Sequence, residues 1–579
     1  MYYKRNTQGV NQSLSVKLIK DYQQATDWRI KENSNQSYSY SGQNGYVINH
    51  HNSQFMLDKI LSKECGEAHR NGDIHIHDLS GLSNYCLGLD LGELLRIGLN
   101  DLDGSPKHFT TALSQMHNCI YLISQEIAGA VAMSSVDILL APYAYNDRLS
   151  YTQIKQAVQE FVYTINVKGR VGYQCPFTNL NLDITVPNRL KGIPVMIGDK
   201  ETYLNYDDPC YERCIEDINR AFLETMTEAK RVLAFPVLNI GITKDFEWDS
   251  DLATKIFSTM GKIGQPTVNN YVNSDYDPDT TKSMCCSLRL DMTQLMKAGG
   301  QFSSNDNSGS IGVITLNLPR YGYEACNNKK MLLHLIVKNM DLAKDALLAK
   351  RAYVEKQMEL GMYPTIKRFV PNFANFFNTI GAVGLNEMCL NFLGKGIDTP
   401  EGMDLSKEVL KFMNNRLSLY QTECKDWYNG RGLWFNAELV PAEGCSHRLA
   451  KVDKAKYPDI ITANGTDGVY YTRGCWLPSD KEYSLKYAVE HQEQLQNFFS
   501  GGANFQYHVE GTISGEAVKS LVSKIILQTS LPFVSISPII SVCPICGQLQ
   551  SSVEYCEHEL TEYQVQELKD KGVELKNVS

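Results

Sequence analysis

Three stretches of this chain hold side chains whose types and spacing could do chemistry. In KSMCCSLRLDM, Cys285 and Cys286 are adjacent. A vicinal disulfide needs a strained eight-membered ring and departs from ordinary disulfide geometry. The pair therefore reads either as two half-buried thiols at the start of a strand or as a reactive thiol on a tight loop, since a thiol supports both redox and one-electron chemistry. In GDIHIHDLSGLSNYCLG, His75 and His77 alternate beside Asp78, with Cys86 downstream, and alternate residues of a strand point the same way. A metal-hydrolase reading of this stretch needs more His and carboxylate ligands, whereas His447 and His508 stand alone. The bland reading is an imidazole pair in a polar network with Asp78. The third stretch is Cys543-x2-Cys546-x9-Cys556-x-His558. Paired soft donors on a short knuckle suit tetrahedral zinc, and Pro544 and Gly547 suit the turn. Regular spacing puts the fourth ligand at Glu559 and donor softness puts it at His558; free, disordered thiols are the competing reading.

The elements that must position these groups come from an ordinary globular composition. The 579 residues are 43% hydrophobic and 21% charged, enough chain for one large core or two to three smaller ones. The net charge of −9 gives the whole molecule no electrostatic reason to bind nucleic acid, while leaving room for a local phosphate pocket. No signal-peptide apolar stretch and no transmembrane run is present, so the expected location is the cytoplasm, away from any membrane. Sixteen cysteines are then expected to be mostly reduced, with Cys65, Cys119, Cys210, Cys214, Cys326, Cys389 and Cys424 read as structural. Residues 1–60 read as a polar arm and 61–538 as the catalytic domain, with a loop near 283–290. The cysteine module spans 539–560 and a polar tail 561–579. Helical patterns dominate from Ile60 to about Ile240, among them the run Phe109–Met133. The apolar runs FPVLNIGIT, GSIGVITLNLP, GLWFNAELVP and PFVSISPII alternate with helices. That alternation predicts an α/β architecture with buried strands.

Taken in order, DWRIKENSN, GDIHIHDL, YCLG, LLAPYAY, GYQCPFTNLNLD, MCCSLRLD, GSIGVITLNLPR, VPAEGCSHRLAKVDK and the CPIC knuckle resemble the anaerobic (class III) ribonucleotide reductase family across more than 450 residues. The resemblance implies a ten-stranded α/β barrel with a central finger loop, a helical N-terminal dimerisation region and a small C-terminal zinc module. It implies radical reduction of ribonucleoside triphosphates. Cys286 would carry a thiyl radical that removes the 3′ hydrogen, with Cys285 as the positional alternative, and Cys86 would donate hydrogen from the other face of the sugar. The implied substrate contacts are His75, Asp78, Ser310, Glu443, Gly444 and Cys445, with Asn317 close to the nucleotide. Zinc would sit on Cys543, Cys546, Cys556 and His558.

Several family features are modified here. The radical-bearing glycine of an Arg-x-x-Gly-Tyr loop is missing; Gly572 lacks the Arg and Tyr, and Arg170-Val171-Gly172-Tyr173 is one residue short and mid-chain. The expectation is a split enzyme whose glycyl radical lies on a separate polypeptide, with a truncated chain and an inactive or regulatory paralogue as alternatives. Ser310 stands where formate-using members carry Asn, so no formate requirement is expected and a redoxin is the expected reductant. Other expected partners are a radical-SAM activase, a second copy in a homodimer, and dNTP or ATP effectors bound on helices near 105–145. No ATP-cone switch is expected. A formate-lyase-type radical enzyme would not need the HIHD, PAE and zinc segments.

Overall fold

The stretches SGSIGVITLN and FFNTIGAV are buried at every position. Runs of this kind, without alternation, fit strands covered on both faces. The computed structural model describes residues 14–24, 38–100, 103–229, 233–284, 289–291, 307–439, 444–465, 468–511, 513–539, 541–542, 549–550, 561 and 566. In chain order its strands are β1 (Ile74–Ile76), β2 (Cys86–Leu89), β3 (Val131–Met133), β4 (Thr178–Leu182), β5 (Pro194–Ile197), β6 (Lys200–Asn205), β7 (Val237–Ile242), β8 (Thr267–Asn270), β9 (Thr281–Ser283) and β10 (Arg289–Asp291). They continue as β11 (Ser308–Asn317), β12 (Phe376–Val383), β13 (Trp434–Glu438), β14 (Ala463–Gly465), β15 (Gly468–Tyr470), β16 (Phe505–Glu510), β17 (Phe533–Ile539), β18 (Ser541–Val542) and β19 (Leu549–Gln550).

Ten strands pair edge to edge in the order β13-β12-β11-β2-β3-β4-β7-β8-β17-β16, and β1 pairs beside them on β11. β2, β3, β4, β7 and β8 are mutually parallel. β11, β12 and β13 are parallel to one another, as are β16 and β17. The two halves meet through the antiparallel pairs β11–β2 and β17–β8. At the open ends the segment just before β16 bonds to β13: Gly501 N–H donates to Ala437 O at 2.5 Å, and Leu439 N–H donates to Gly502 O at 2.9 Å. The ten strands thus form an α/β barrel, as the resemblance implies. Outside it, one apolar layer packs helices such as Phe109–Glu126, Tyr151–Ile165 and Glu212–Glu228 on β2–β8. A second layer packs Lys329–Glu359 and Pro400–Glu423 on β11–β13.

The helical run expected over 109–133 stops at Glu126, and Val131–Met133 is a strand. The cause is Arg170. Its guanidinium is buried and donates to Ser124 O at 3.0 Å, Ile127 O at 2.9 Å and Ala128 O at 2.6 Å. Carbonyls left over at a helix end are thereby satisfied, and the chain is free to enter β3. This cation has a structural role, which accounts for the mid-chain Arg-Val-Gly-Tyr sequence.

Within the barrel, β9 and β10 pair as an antiparallel hairpin stem, with Ser283 opposite Arg289. Asparagines on β4 hold that stem: Asn179 Nδ2 and Asn181 Nδ2 both donate to Ser283 O, at 2.8 and 2.9 Å. A relay backs them, with Thr267 Oγ1 donating to Asn239 Oδ1 at 2.7 Å and Asn239 Nδ2 to Asn179 Oδ1 at 2.6 Å. β2 and β11 approach very closely at Gly309, where a Cβ would lie 2.1 Å from Cys86 O and 2.5 Å from the Phe376 ring. Gly309→Ala is therefore expected to lower stability by about 1–3 kcal/mol, the usual cost of overpacking a core. A thermal melt unchanged from wild type would show that the two strands are not held at this spacing.

Candidate active site

Cys86 opens β2 and lies opposite Ser310 of β11. It is buried in an apolar cluster with Ala130, Ala132, Met284 and Phe377, walled by Tyr85, Phe177 and Trp434. Its Sγ accepts the Ala130 N–H at 3.4 Å. Met284 ends the hairpin stem and its side chain lies against Gly88, where a Cβ would meet the methyl at 2.2 Å. Cys285 and Cys286 follow it in sequence and lie outside the described residues, as do Glu443 and the expected zinc ligands Cys543, Cys546, Cys556 and His558.

Ser310 is fully buried beside Cys86. Its Oγ donates to Gly312 O at 3.1 Å and shares a hydrogen bond with Thr379 Oγ1 at 3.0 Å. The pairing of β11 with β12 shifts register between Ser310 and Gly312, a bulge of the kind that re-aims side chains next to active sites. Beyond the bulge, β1 brings His75 and His77 to the same strand. His77 N–H donates to Val313 O at 3.0 Å, and His77 Nε2 bonds Thr315 Oγ1 at 2.8 Å. The two imidazoles sit 4.6 Å apart, ring centre to ring centre. Burial lowers both of their pKa values, that of His77 to about 4, and the Lys350 cation adds to the shift at His77. Arg448 places a guanidinium nitrogen 3.2 Å from His75 Nδ1, where a metal reading would need an incoming ion. Among the described residues no three His, Cys, Asp or Glu side chains are grouped to hold a metal.

Asp78 turns the chain from β1 towards β2 with φ at 46°, a left-handed conformation that Asp tolerates better than most residues. Asp78 is exposed to solvent. Desolvation by the surrounding protein raises its pKa, opposed by Lys350 and Arg170. Cys445 begins the helix Cys445–Lys456 after Gly444, whose φ of 65° favours glycine. Burial pushes the Cys445 thiol up to about 12, so it is a neutral thiol, and it bonds Thr315. At Asn317, the last residue of β11, Nδ2 donates to Gly72 O at 2.8 Å and to Asp453 Oδ2 at 2.9 Å. Its Oδ1 is buried and has no partner among the described residues.

Residues 32–565 match the family model described as anaerobic ribonucleoside-triphosphate reductase. The chain belongs to this family. Among named relatives, the anaerobic ribonucleoside-triphosphate reductase of Enterobacteria phage T4 is 23% identical, over 80% of this chain and 77% of the phage protein. That of Escherichia coli is 21% identical over 79% of this chain, and the match spans 66% of the bacterial protein. The anaerobic ribonucleotide reductase from Thermotoga maritima, solved in complex with dATP and CTP, superposes with a TM-score of 0.71 at 22% identity. It covers 94% of this chain and 89% of its own. The barrel is therefore the fold of this reductase family, and the chain is a reductase catalytic chain of the anaerobic type. No described helix is long and apolar enough to cross a membrane.

The structure gathers Cys86, Ser310, His75, His77 and Cys445 around β11, and leaves Asn317 in a separate buried network at its end. Residues given no role in the sequence reading complete the surroundings: Thr315, Arg448 and Trp434 inside quoted stretches, and Thr379 and Lys350 outside them. Lys350 sits on the helix Lys329–Glu359, wholly enclosed behind the bulge, and its Nζ has no partner among the described residues. Its Nζ lies 3.4 Å from where a Cβ of Gly312 would be. Burial depresses its pKa from 10.5 to about 8, partly offset by Asp78 and Cys86. Between pH 8 and 10.5 the unfolded chain then binds the extra proton, so the cost of burying this ammonium is complete below pH 8 and fades as the pH rises to 10.5. Lys350→Met is expected to stabilise the fold at pH 7, by at most about 3 kcal/mol from 1.36 kcal/mol per pKa unit, with the gain shrinking towards pH 10.5. Melts of both proteins across that range check it; a variant less stable than wild type at pH 7 would mean the ammonium is paired.

Proposed function

We propose that this chain reduces ribonucleoside triphosphates to 2′-deoxyribonucleotides through a thiyl radical on Cys286, with Cys86 as the hydrogen donor on the other face of the sugar. The observation that carries the reading is that Met284, one residue before the cysteine pair, is buried in the same interior cluster as Cys86. Hydroxide leaves an unactivated ribose carbon poorly. Removal of the 3′ hydrogen as an atom turns the neighbouring C–O bond into an easily broken one. The Cys286 thiyl takes that hydrogen, the Cys86 S–H protonates the departing 2′-OH, and water leaves. Over the whole turnover the Cys86 and Cys286 thiols supply two electrons and two protons and join as a disulfide. The 3′ hydrogen returns to the sugar, the hydrogen that the glycyl radical first took from Cys286 is also given up, and the radical returns to the glycine. A closed apolar pocket keeps stray donors from the radical. Phe377, Phe177 and Trp434 give that enclosure here.

Ser310 in place of an asparagine, with its hydroxyl committed to Gly312 and Thr379, supports a dithiol redoxin, rather than formate, as the reductant that reopens the disulfide. His75, Asp78, Glu443, Gly444 and Cys445 line the nucleotide. In this reading backbone amides of the 443–445 turn hold phosphate. Effector dNTPs bind on the helices Phe109–Glu126 and Val136–Asn146 at a homodimer contact, and zinc on Cys543, Cys546, Cys556 and His558 steadies the region after the barrel. In this reading the glycyl radical is supplied by a separate small chain charged by a radical-SAM activase.

In an anaerobic mixture of this chain, the activase and a small chain bearing Arg-x-x-Gly-Tyr, CTP is expected to yield dCTP with a redoxin and without formate. Cys86→Ala and Cys286→Ala should each lower the rate by about a thousandfold or more, because each removes a reacting group. No dCTP from the wild type, while EPR shows the glycyl radical on the small chain, would overturn the reading in favour of a nucleotide-binding paralogue.

A further inference from the structure

An isolated charge away from water is costly, so a buried ammonium normally pairs with an anion or loses its proton. Lys350 does neither. It belongs to the helix Lys329–Glu359 and is 4% exposed, and its Nζ has no hydrogen-bond partner among the described residues. Burial lowers its pKa only to about 8, so the ammonium is charged at neutral pH. Beside it lies a cavity of about 10 Å³ lined by His77, Gly312 and apolar side chains, without an Asp or Glu. That is room for about one water molecule, too little for an anionic ligand. The charge therefore acts on groups of the protein itself.

Gly312 lets the ammonium approach the barrel wall: a Cβ there would lie 3.2 Å from Lys350 Cδ and 3.4 Å from Nζ. Gly312 ends the bulge that begins at Ser310, and Ser310 lies opposite Cys86. Two strand steps of about 3.3 Å and one cross-strand spacing of about 5 Å place the ammonium roughly 10 Å from the Cys86 sulfur. Of the groups that face Lys350, His77 has its pKa lowered to about 4 and is uncharged near neutrality. Asp78 is exposed, and solvent screens its charge. Cys86 is buried, so a charge on its sulfur is screened least. The Asp78 and Cys86 charges both oppose the fall in the Lys350 pKa. Arg170, another cation near Cys86, is tied to three backbone carbonyls.

In the reaction proposed above, on which this rests, the Cys86 S–H bond breaks and its electron pair stays on sulfur. The proton goes to the departing 2′-OH as the C–O bond breaks. We propose that Lys350 is a positioning residue for that step, whose ammonium stabilises the thiolate left on Cys86. A fixed charge aimed where charge develops needs no reorganisation at the moment of reaction. For unit charges about 10 Å apart at an effective dielectric constant of about 20, the effect on the thiol is about one pKa unit. The burial that costs stability at neutral pH is also what leaves the ammonium's field unscreened.

The full chain is alkylated anaerobically with iodoacetamide at neutral pH, and label on the Cys86 peptide is followed by mass spectrometry. Lys350→Met removes the charge and folds, since it is expected to be the more stable protein. Its Cys86 should react about threefold more slowly than in the wild type, because about tenfold less thiolate is partly offset by a more nucleophilic one. The gap should close as the pH rises past about 8, where wild-type Lys350 loses its proton. Lys350→Arg should react as the wild type does, and exposed Cys326 should react alike in all three proteins. In turnover of CTP, Lys350→Met should lower kcat about tenfold with KM unchanged, and Lys350→Arg should restore it. Equal Cys86 labelling in wild type and Lys350→Met would overturn the proposal, and so would a loss that Lys350→Arg leaves unrestored. Wild-type kcat in Lys350→Met would overturn it as well. Absence of dCTP from every protein, with Cys86 labelling still dependent on Lys350, would refute the reaction above and leave the action of the ammonium on the sulfur standing.

Discussion

Arg320 is wholly buried between Asp73 and Asp453, and the placement of the candidate site depends on that contact. Its Nε donates to Asp453 Oδ1 at 2.8 Å and its Nη1 to Asp73 Oδ1 at 2.9 Å. Arg320 follows β11, Asp73 precedes β1, and Asp453 belongs to the helix Cys445–Lys456. These three elements carry Ser310 and Thr315, His75 and His77, and Cys445 and Arg448. Tyr471 and Asn317 add their bonds to Asp453, and Tyr321 OH donates to Asp73 O at 2.5 Å. A charge in this position costs several kcal/mol to desolvate, and removing one partner of such a cluster typically costs about 3–5 kcal/mol. The cluster is thus better understood as fixing register than as adding stability: its geometry is met only when all three elements sit in one arrangement.

The interior of the barrel obeys a second constraint. A reacting sulfur needs an apolar, water-poor surrounding, yet the loop that carries its partner must be held by polar bonds. The chain separates the two needs in space. The Thr267–Asn239–Asn179 relay ends on the Ser283 carbonyl, and only one residue later Met284 enters the apolar cluster around Cys86. Asparagines suit this work because each both donates and accepts, so a line of them can be satisfied inside a barrel without net charge. Lys350 is a charge placed behind the bulge, close enough to act on His77 and Asp78 through low-dielectric protein.

Much of this was readable in the sequence, for physical reasons that differ from element to element. Unbroken apolar runs such as GSIGVITLN and PFVSISPII announced buried strands, and β11 and β17 are those strands. Alternation put His75 and His77 on one face, and both imidazoles do meet β11 or its partners. The order of strands around the barrel was not readable, because pairings such as β2 with β11 join residues more than 200 positions apart. Neither was Lys350: on a helix, one lysine among AKRAYVEK looks like a solvated residue until the sheet behind it is known. Arg170 carried a sequence signal that pointed elsewhere, and its three carbonyl contacts explain the break between the helix Phe109–Glu126 and β3. Asn317 was readable as the end of a buried strand, whereas its bonds to Gly72 and Asp453 join residues more than 100 positions apart and were not.

The central proposal is that Cys86 and Cys286, two residues after Met284, work as a pair inside the barrel. Anaerobic oxidation of the full chain with diamide, followed by non-reducing peptide mapping, tests it most directly. The account predicts a disulfide that links the peptide containing Cys86 to the one containing Cys285 and Cys286, with Cys286 as the bonded sulfur. Its formation should be slowed when CTP fills the space between the two. A map in which Cys86 stays a free thiol, or pairs with any other cysteine, would contradict it.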